Sequence, residues 1–344
     1  MAFSCKVFGL RAPLPVFLWA LFGAAGWVHG ASAPSASIDG ARQEGKVVWY
    51  SVVNESGDLA KEFEKKYPFI KVEVLRLSNP RVLARILTET QAHRYGYDVV
   101  RANAFTMNAL MEKGLVGAYD SPERKAYHPG WKDARGFWTS TDENVFVVGY
   151  NTRLVSQAEA PRDWSDLLDP KWKGSIGMEP SDFELYAGLE KKWGAGRAAA
   201  FFKELSRQDL QFRTGHTLLA QLVVAGEMKL GIVFAHRVEA MKSQRAPIEW
   251  VSTMDPIISS LGVISLASKP EHPNAAKLLI DYVLSREGQR YLQSGNRVAS
   301  RIDIDPLTPK LDRRKLALLP LEPELGKHMK ENVERFRSIL GIQG

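Results

Sequence analysis

Cysteine is almost absent from this 344-residue chain; the single one is Cys5. It stands ahead of an apolar run, Leu14 to Val28, that follows Lys6 and Arg11 and leads into Gly30-Ala31-Ser32-Ala33. That order is the pattern of a secretory signal peptide, residues 1–33, with an Ala-x-Ala cleavage motif. The run is shorter than the roughly 20 residues a membrane-spanning helix needs. Pro34 disfavours a cut directly after Ala33, so cleavage is expected anywhere from Gly30 to Ala36. The predicted mature chain then has no thiol, which excludes disulfide scaffolds, cysteine nucleophiles, zinc-thiolate sites and iron–sulfur clusters together. Its stability has to rest on apolar cores, and a composition 45% hydrophobic and 10% aromatic supplies them.

Blocks of like charge are missing too. The formal net charge is +7, and removal of Lys6 and Arg11 lowers it to +5, yet both signs are mixed almost everywhere. Without a polybasic block or arginines interleaved with aromatics, nucleic acid is excluded as a partner, and a small anionic ligand suits the mild positive balance better. Catalytic signatures are absent as well: there is no G-x-S-x-G, H-E-x-x-H, Walker loop or G-x-G-x-x-G, and the seven histidines do not cluster at metal-ligand spacing. The expectation is a protein that is not an enzyme and carries no cofactor or bound structural metal. An exported hydrolase with scattered catalytic residues is the rival reading.

What the chain does have is alternation of strand and helix from residue 45 onward, the mark of an α/β fold on mostly parallel sheets. Val47 to Ser51 reads as a strand, and Leu59, Phe63 and Tyr67 then fall on one helical face. Lys71 to Leu77 is a second strand; Asn79-Pro80 reads as an N-cap followed by proline at the first helical position. Tyr97 to Arg101 leads through Asn103 into a short helix ending at Gly114. The later chain repeats the pattern, with helices predicted at 164–168, 183–193, 198–205, 218–225 and 238–243 and strands at 175–178, 230–234 and 248–252. Two long apolar strands stand out, Asn144 to Asn151 and Ile257 to Ala267, and helices follow over 275–284 and up to Gly295. No repeat of fixed period is present. Beyond about 250 residues a chain tends to divide, and the two long strands are the natural crossing points.

The stretch WSDLLDPKWKGSIGMEP, the preceding VVGYNT and AP, the later FFKEL and LVVAGEMKLGIV, and the helix LSREGQRYL together resemble the family 1 extracellular solute-binding proteins of bacterial ABC importers. More narrowly, they resemble the branch that contains the periplasmic ferric-ion binding proteins, over nearly the whole mature chain and in the same order. The resemblance implies a two-lobed type 2 periplasmic binding fold with two crossover hinge strands. Lobe 1 would comprise residues 34–144 with 260–344 returning to it, and lobe 2 residues 145–259. It further implies a periplasmic, monomeric protein that captures a small solute between its lobes and delivers it to an ABC permease in the inner membrane. A ligand-loaded adaptor for a sensor kinase would use the same fold. Trp164 and Trp172 in the first stretch are expected to pack in the core and not to touch ligand.

Ligands of open α/β sheets bind outside the carboxyl ends of the strands, where helix N-termini offer unpaired N–H groups. That rule selects Ser51 and Asn54 after the first strand, Asn103 after the third, and Ser181 after the 175–178 strand. It also selects Arg213, Gly215, His216 and Thr217 in RTGHT, and His236 with Arg237 in AHR. For the first of these loops, capping by Asn54 or Ser56 competes with ligand contact, and Ser181 and Asp182 face the same choice. In RTGHT, Gly215 frees the backbone and Thr217 offers donors to an oxyanion, against the plain reading of a capped helix start. His236 and Arg237 are either structural or a bidentate oxyanion site. The ferric-ion branch holds its metal with an adjacent tyrosine pair at the end of this strand and a histidine after the first strand. This chain has Ala235-His236 and Asn54 there, a poor donor set for a hard ferric ion. The expected ligand is therefore a small organic anion (carboxylate, phosphonate or phosphate ester), with ferric iron or a ferric chelate as the alternative.

Overall fold

Residues 36–342 are described in the computed structural model. The signal-peptide reading of residues 1–33 and Cys5 lie outside the described residues. The first elements are α1 (Ile38–Glu44), β1 (Lys46–Ser51), α2 (Ser56–Lys66), β2 (Lys71–Arg76), α3 (Asn79–Gln91), β3 (Val99–Asn103), α4 (Ala104–Glu112) and β4 (Val116–Gly117). β1 lies between β2 and β3 and is parallel to both, with Trp49 opposite Val74 on one side and Val99 on the other. Leu59 and Phe63 bury the inner face of α2 completely, and Tyr67 stands just past its end as the C-cap. The expected N-cap of α3 is displaced by one residue: Ser78 holds the cap position. Asn79 instead uses its Oδ1 to accept the Asn103 N–H at 2.9 Å, tying α3 to the end of β3.

The middle of the chain turns on β5 (Thr139–Asn151), which starts five residues before the apolar run that predicted it. Thr139, Ser140, Thr141 and Asp142 are buried because β10 covers them, so their polar groups find partners inside the protein. Beyond β5 come β6 (Ile176–Met178), α5 (Phe183–Trp193), α6 (Ala195–Ser206), β7 (Gln211–Phe212), α7 (His216–Ala225), β8 (Leu230–Phe234), α8 (Ala235–Ser243) and β9 (Ile248–Trp250). β6 and β8 are parallel, and β8 runs antiparallel to the second half of β5 with Phe146 opposite Phe234. Trp164 and Trp172 are buried, as expected, and the Trp164 Nε1–H donates to the Pro256 carbonyl at 2.8 Å. The helix predicted at 164–168 is a single 3₁₀ segment capped by Asp163.

β10 (Ile257–Ala267) matches the second predicted apolar strand, and all eleven of its residues are buried. It pairs antiparallel with β3 through Gly262–Leu266 and with β5 from Ser259 opposite Val145 to Ile264 opposite Thr139. The sheet therefore runs β2-β1-β3-β10-β5-β8-β6-β7, with β5 and β10 as the strands common to its two halves. This is a two-lobed α/β fold with two crossover strands.

Past Gly295 the sequence carries no strong period, and the remaining elements were not foreseen. α9 (Pro273–Leu284) and α10 (Arg286–Ser294) lead to β11 (Val298–Ala299), β12 (Leu318–Leu321) and α11 (Met329–Leu340). β12 extends the sheet parallel to β10. α11 buries Asn332, Phe336 and Leu340 at four-residue spacing, and Phe336 meets the rings of Tyr186 in α5 and Phe202 in α6.

Gly188 in α5 marks a close approach of a helix to a crossover strand: a Cβ there would lie 2.6 to 2.9 Å from three carbons of Ile258. Gly188→Ala should lower stability by about 1–3 kcal/mol in urea unfolding, as overpacking does. Combined with Ile258→Ala it should cost less than the sum of the two single changes; strictly additive costs would show that helix and strand do not press on each other there.

Candidate functional site

The carboxyl ends of β1, β2 and β3 open into a cleft of about 600 Å³ bounded on its other side by Asn144, Leu261 and Gly262 of the crossover strands. Its charged lining is entirely cationic: Arg76, Arg81, Arg101 and Arg297. Arg76 ends β2, Arg81 sits in the first turn of α3, Arg101 lies on β3, and Arg297 precedes β11. Arg76 and Arg81 are exposed and have no ion-pair partner among the described residues.

Arg101 differs from these two, because it is 5% exposed and forms an ion pair with Asp142, which is 1% exposed. Burial pulls the Arg101 guanidinium toward losing its proton, and the Asp142 charge opposes that. Burial likewise works against charge on Asp142, but Arg101 and Arg297 together hold its carboxyl below the ordinary carboxylate range. Arg297 reaches Glu55 at 3.1 Å and Asp142 at 3.7 Å, so two carboxylates anchor two arginines at the back of the cleft. Gly262 makes this possible, since a Cβ on it would overlap the Arg101 guanidinium. A glycine inside an otherwise apolar strand was the available signal for such an approach. Arg101, closing the apolar run YDVVR, was legible as a strand-end cation but was not singled out; nor were Arg297, Arg76, Arg81 or Asp142.

Several expected contacts are taken up within the protein. Ser51 is buried and its hydroxyl lies 2.6 Å from that of Ser56, while Asn54 is exposed in the turn beyond it. Neither Asn54 nor Ser56 caps α2, whose N-cap is Glu55 without a side-chain bond. Ser181 is exposed and donates its N–H to Glu179 Oε2 at 3.0 Å, and its hydroxyl to the same oxygen. In RTGHT, Gly215 takes φ +99° as the N-cap of α7, Thr217 is exposed, and the exposed Arg213 bends back to donate to the Phe212 carbonyl at 2.7 Å. His216 turns inward to Asp182, with Nε2 to Oδ1 at 3.1 Å. Asp182 stands at the N-cap of α5 yet gives the helix no side-chain bond, so the capping expected of it is replaced by this pair.

Asn103 does two jobs. Its Oδ1 caps α4 by accepting from the Thr106 N–H at 3.0 Å, and its Nδ2 donates across the cleft to Glu184 Oε1 at 3.2 Å. Phe105 and Phe183 meet beside it, ring centroids 5.4 Å apart, so the two halves touch at this point. On α8, His236 is 2% exposed with neither ring nitrogen hydrogen-bonded. Burial, aided by Arg237 and Arg297, pushes its pKa down to about 3, so it is neutral at any physiological pH and offers one donor and one acceptor. Arg237 is half-buried, and its field couples to Arg297 and Glu55.

Burial pushes the Glu184 carboxyl up from 4.5 to about 7, with the nearby Asp182 adding to the shift. A carboxyl raised in the folded state is more easily ionised when unfolded, so folding becomes less favourable as pH rises from about 4.5 through 7. Glu184→Gln should therefore match the wild type at pH 4.5 and melt higher at pH 8. The difference should be about 1–3 kcal/mol after allowance for solvent screening; a constant difference across that range would mean that Glu184 does not titrate there.

Residues 94–318 match the family model described as bacterial extracellular solute-binding protein. Among curated relatives, the Fe(3+)-binding periplasmic protein of Serratia marcescens is 24% identical over 193 residues, spanning 53% of this chain and 56% of that protein. Among solved structures, iron-bound HitA from Pseudomonas aeruginosa superposes with a TM-score of 0.76 at 19% identity, covering 86% of this chain and 99% of that one. The periplasmic binding protein AfuA from Actinobacillus pleuropneumoniae, solved with exogenous fructose-6-phosphate bound, gives 0.72 at 24% identity, covering 87% and 99%. At these identities the superpositions establish the type 2 periplasmic binding fold, and the family match covers well over half of the sequence. The chain belongs to the bacterial extracellular solute-binding protein family, the ferric-binding-protein-like branch in particular.

Proposed function

We propose that the protein captures a small organic oxyanion (a carboxylate, phosphonate or phosphate ester) in its arginine-lined cleft and hands it to an ABC permease of the inner membrane. The observation that carries this reading is the lining itself, with four arginines and no carboxylate, of which Arg76 and Arg81 have no ion-pair partner among the described residues. A guanidinium offers a planar fork matched to carboxylate and phosphoryl oxygens. Of the residues singled out in the sequence, Asn103 lines this cleft, and His236 and Arg237 lie within the field of its Arg297. Capture is by hinge closure between a lobe of residues 34–144 with 260–344 and a lobe of residues 145–259, α11 reaching across to α5 and α6 of the latter. Ligand contacts from both lobes favour the closed form. The protein acts in the periplasm as a monomer, and no covalent step is required.

A ferric chelate is the second reading, favoured by the iron named in the Serratia and Pseudomonas relatives. No tyrosine lines the cleft, and bare ferric ion prefers anionic oxygen ligands. A chelate that presents carboxylates would nonetheless suit the arginines.

The test is thermal shift of the mature protein, stripped by unfolding and refolding, against carboxylates, phosphonates, phosphate esters, ferric chelates and ferric ion. A ligand that binds only the folded state adds about 2.7 kcal/mol at a hundredfold excess over its Kd. A shift with an organic anion alone supports the proposal, and Arg81→Ala should then weaken binding about tenfold, the loss of one charge-assisted contact, without moving the melting point of the empty protein. A shift with bare ferric ion and none with organic anions overturns it.

A further inference from the structure

The wall facing the arginines has the opposite sign. Glu179 follows β6, Asp182 begins α5, Glu184 lies in the first turn of that helix, and His216 begins α7. The ligating atoms of Glu179, Asp182 and His216 all lie within 4.8 Å of one another. Two carboxylates thus share one imidazole, and no lysine or arginine pairs with either among the described residues. Buried charge left uncompensated is strongly unfavourable, and burial pushes the Asp182 carboxyl upward.

This cluster keeps an acceptor in reserve. Asp182 is 3% exposed, and while its Oδ1 faces His216, its Oδ2 has no hydrogen-bond partner. Glu179 receives Ser181 on a single oxygen, Oε2. Asn103 lines the arginine cleft and also bonds Glu184, two residues along α5 from Asp182, which connects the cleft to this cluster. A hydroxyl would satisfy Oδ2 without offsetting the charge. A metal ion would either displace the pair between Asp182 Oδ1 and the imidazole Nε2 at 3.1 Å or bind through Nδ1, which has no partner. A protonated amine brings both the missing donor and the missing positive charge.

We infer that the ligand is bipolar: its oxyanion lies against Arg81, Arg101 and Arg297, and a protonated amine of the same molecule seats on Asp182 Oδ2 and Glu179. This rests on the oxyanion reading of the cleft and adds the class of ligand, a short-chain zwitterion.

The experiment is calorimetric titration of the stripped protein with matched pairs of equal chain length, two to four carbons: ω-aminoalkylphosphonates against alkylphosphonates, and ω-amino acids against alkanoates. The amine-bearing member of at least one pair should bind tenfold or more tighter. That preference should fall below threefold in Asp182→Asn, and in Glu179→Gln if the first variant melts abnormally, while Arg81→Ala weakens both members and keeps the ratio. Equal binding of both members by the wild type overturns the bipolar ligand and leaves the oxyanion site standing. Binding of neither member in any pair overturns both. An amine-independent affinity that needs added divalent metal and vanishes with EDTA overturns the inference in favour of a metal centre at the Asp182 cluster.

Discussion

The buried ion pair between Arg101 and Asp142 is the constraint on which the rest of the site depends. Two charges removed from water are tolerated only when geometry and further hydrogen bonds compensate them. Here the compensation reaches across three strands. Arg101 comes from β3, Asp142 from β5, and β10 must present a bare glycine at position 262 for the guanidinium to pass. Thr141 helps by placing its hydroxyl 3.3 Å from Arg101 Nε and 2.7 Å from Asp142 Oδ1. Arg297 then shares Asp142 with Arg101, which draws the loop before β11 into the same knot.

Because β5 and β10 belong to both halves of the sheet, this knot sits where the two halves join. Its neighbour Glu143, fully buried, contacts Arg313 and accepts from the Ser259 hydroxyl at 2.6 Å. Polar residues in the first half of β5 therefore replace an apolar core at the crossover, and they fix the cationic floor of the cleft. Apart from the ion pairs of Arg101 and Arg297, Arg76 and Arg81 stand at the end of β2 and the start of α3, whereas Glu179, Asp182 and His216 gather at the starts of α5 and α7. Neutral His236, with both nitrogens unbonded, lies close enough to feel Arg297 and Asp142 on one side and His216 on the other.

Much of this architecture was legible in the sequence. Apolar runs located β8 and β10 to the residue, and the period of α5 gave its bounds, because buried strands and one-sided helices write their burial directly into residue order. The beginning of β5 was not legible, since Thr139 to Glu143 are polar and show no apolar run; their burial depends on β10, more than a hundred residues away. The chain beyond Gly295 was opaque for a related reason, as α11 and β12 are defined by the surfaces they cover. Strand-end reasoning selected Asn103, which lines the cleft, but not the arginines beside it. Arg297 is brought into the cleft by a return of the chain that no local pattern announces, and Arg213, the conspicuous arginine of RTGHT, is spent on its own neighbour's carbonyl.

The most direct test of an oxyanion site between these arginines is anomalous diffraction from crystals of the stripped protein soaked in arsenate, a phosphate analogue whose arsenic atom can be located independently of any atomic model. An arsenic peak within hydrogen-bonding reach of Arg81, Arg101 and Arg297 is the predicted result. A peak at the α5 or α7 N-terminus with the arginine cleft empty, or no ordered arsenate at concentrations that saturate binding in solution, would contradict it.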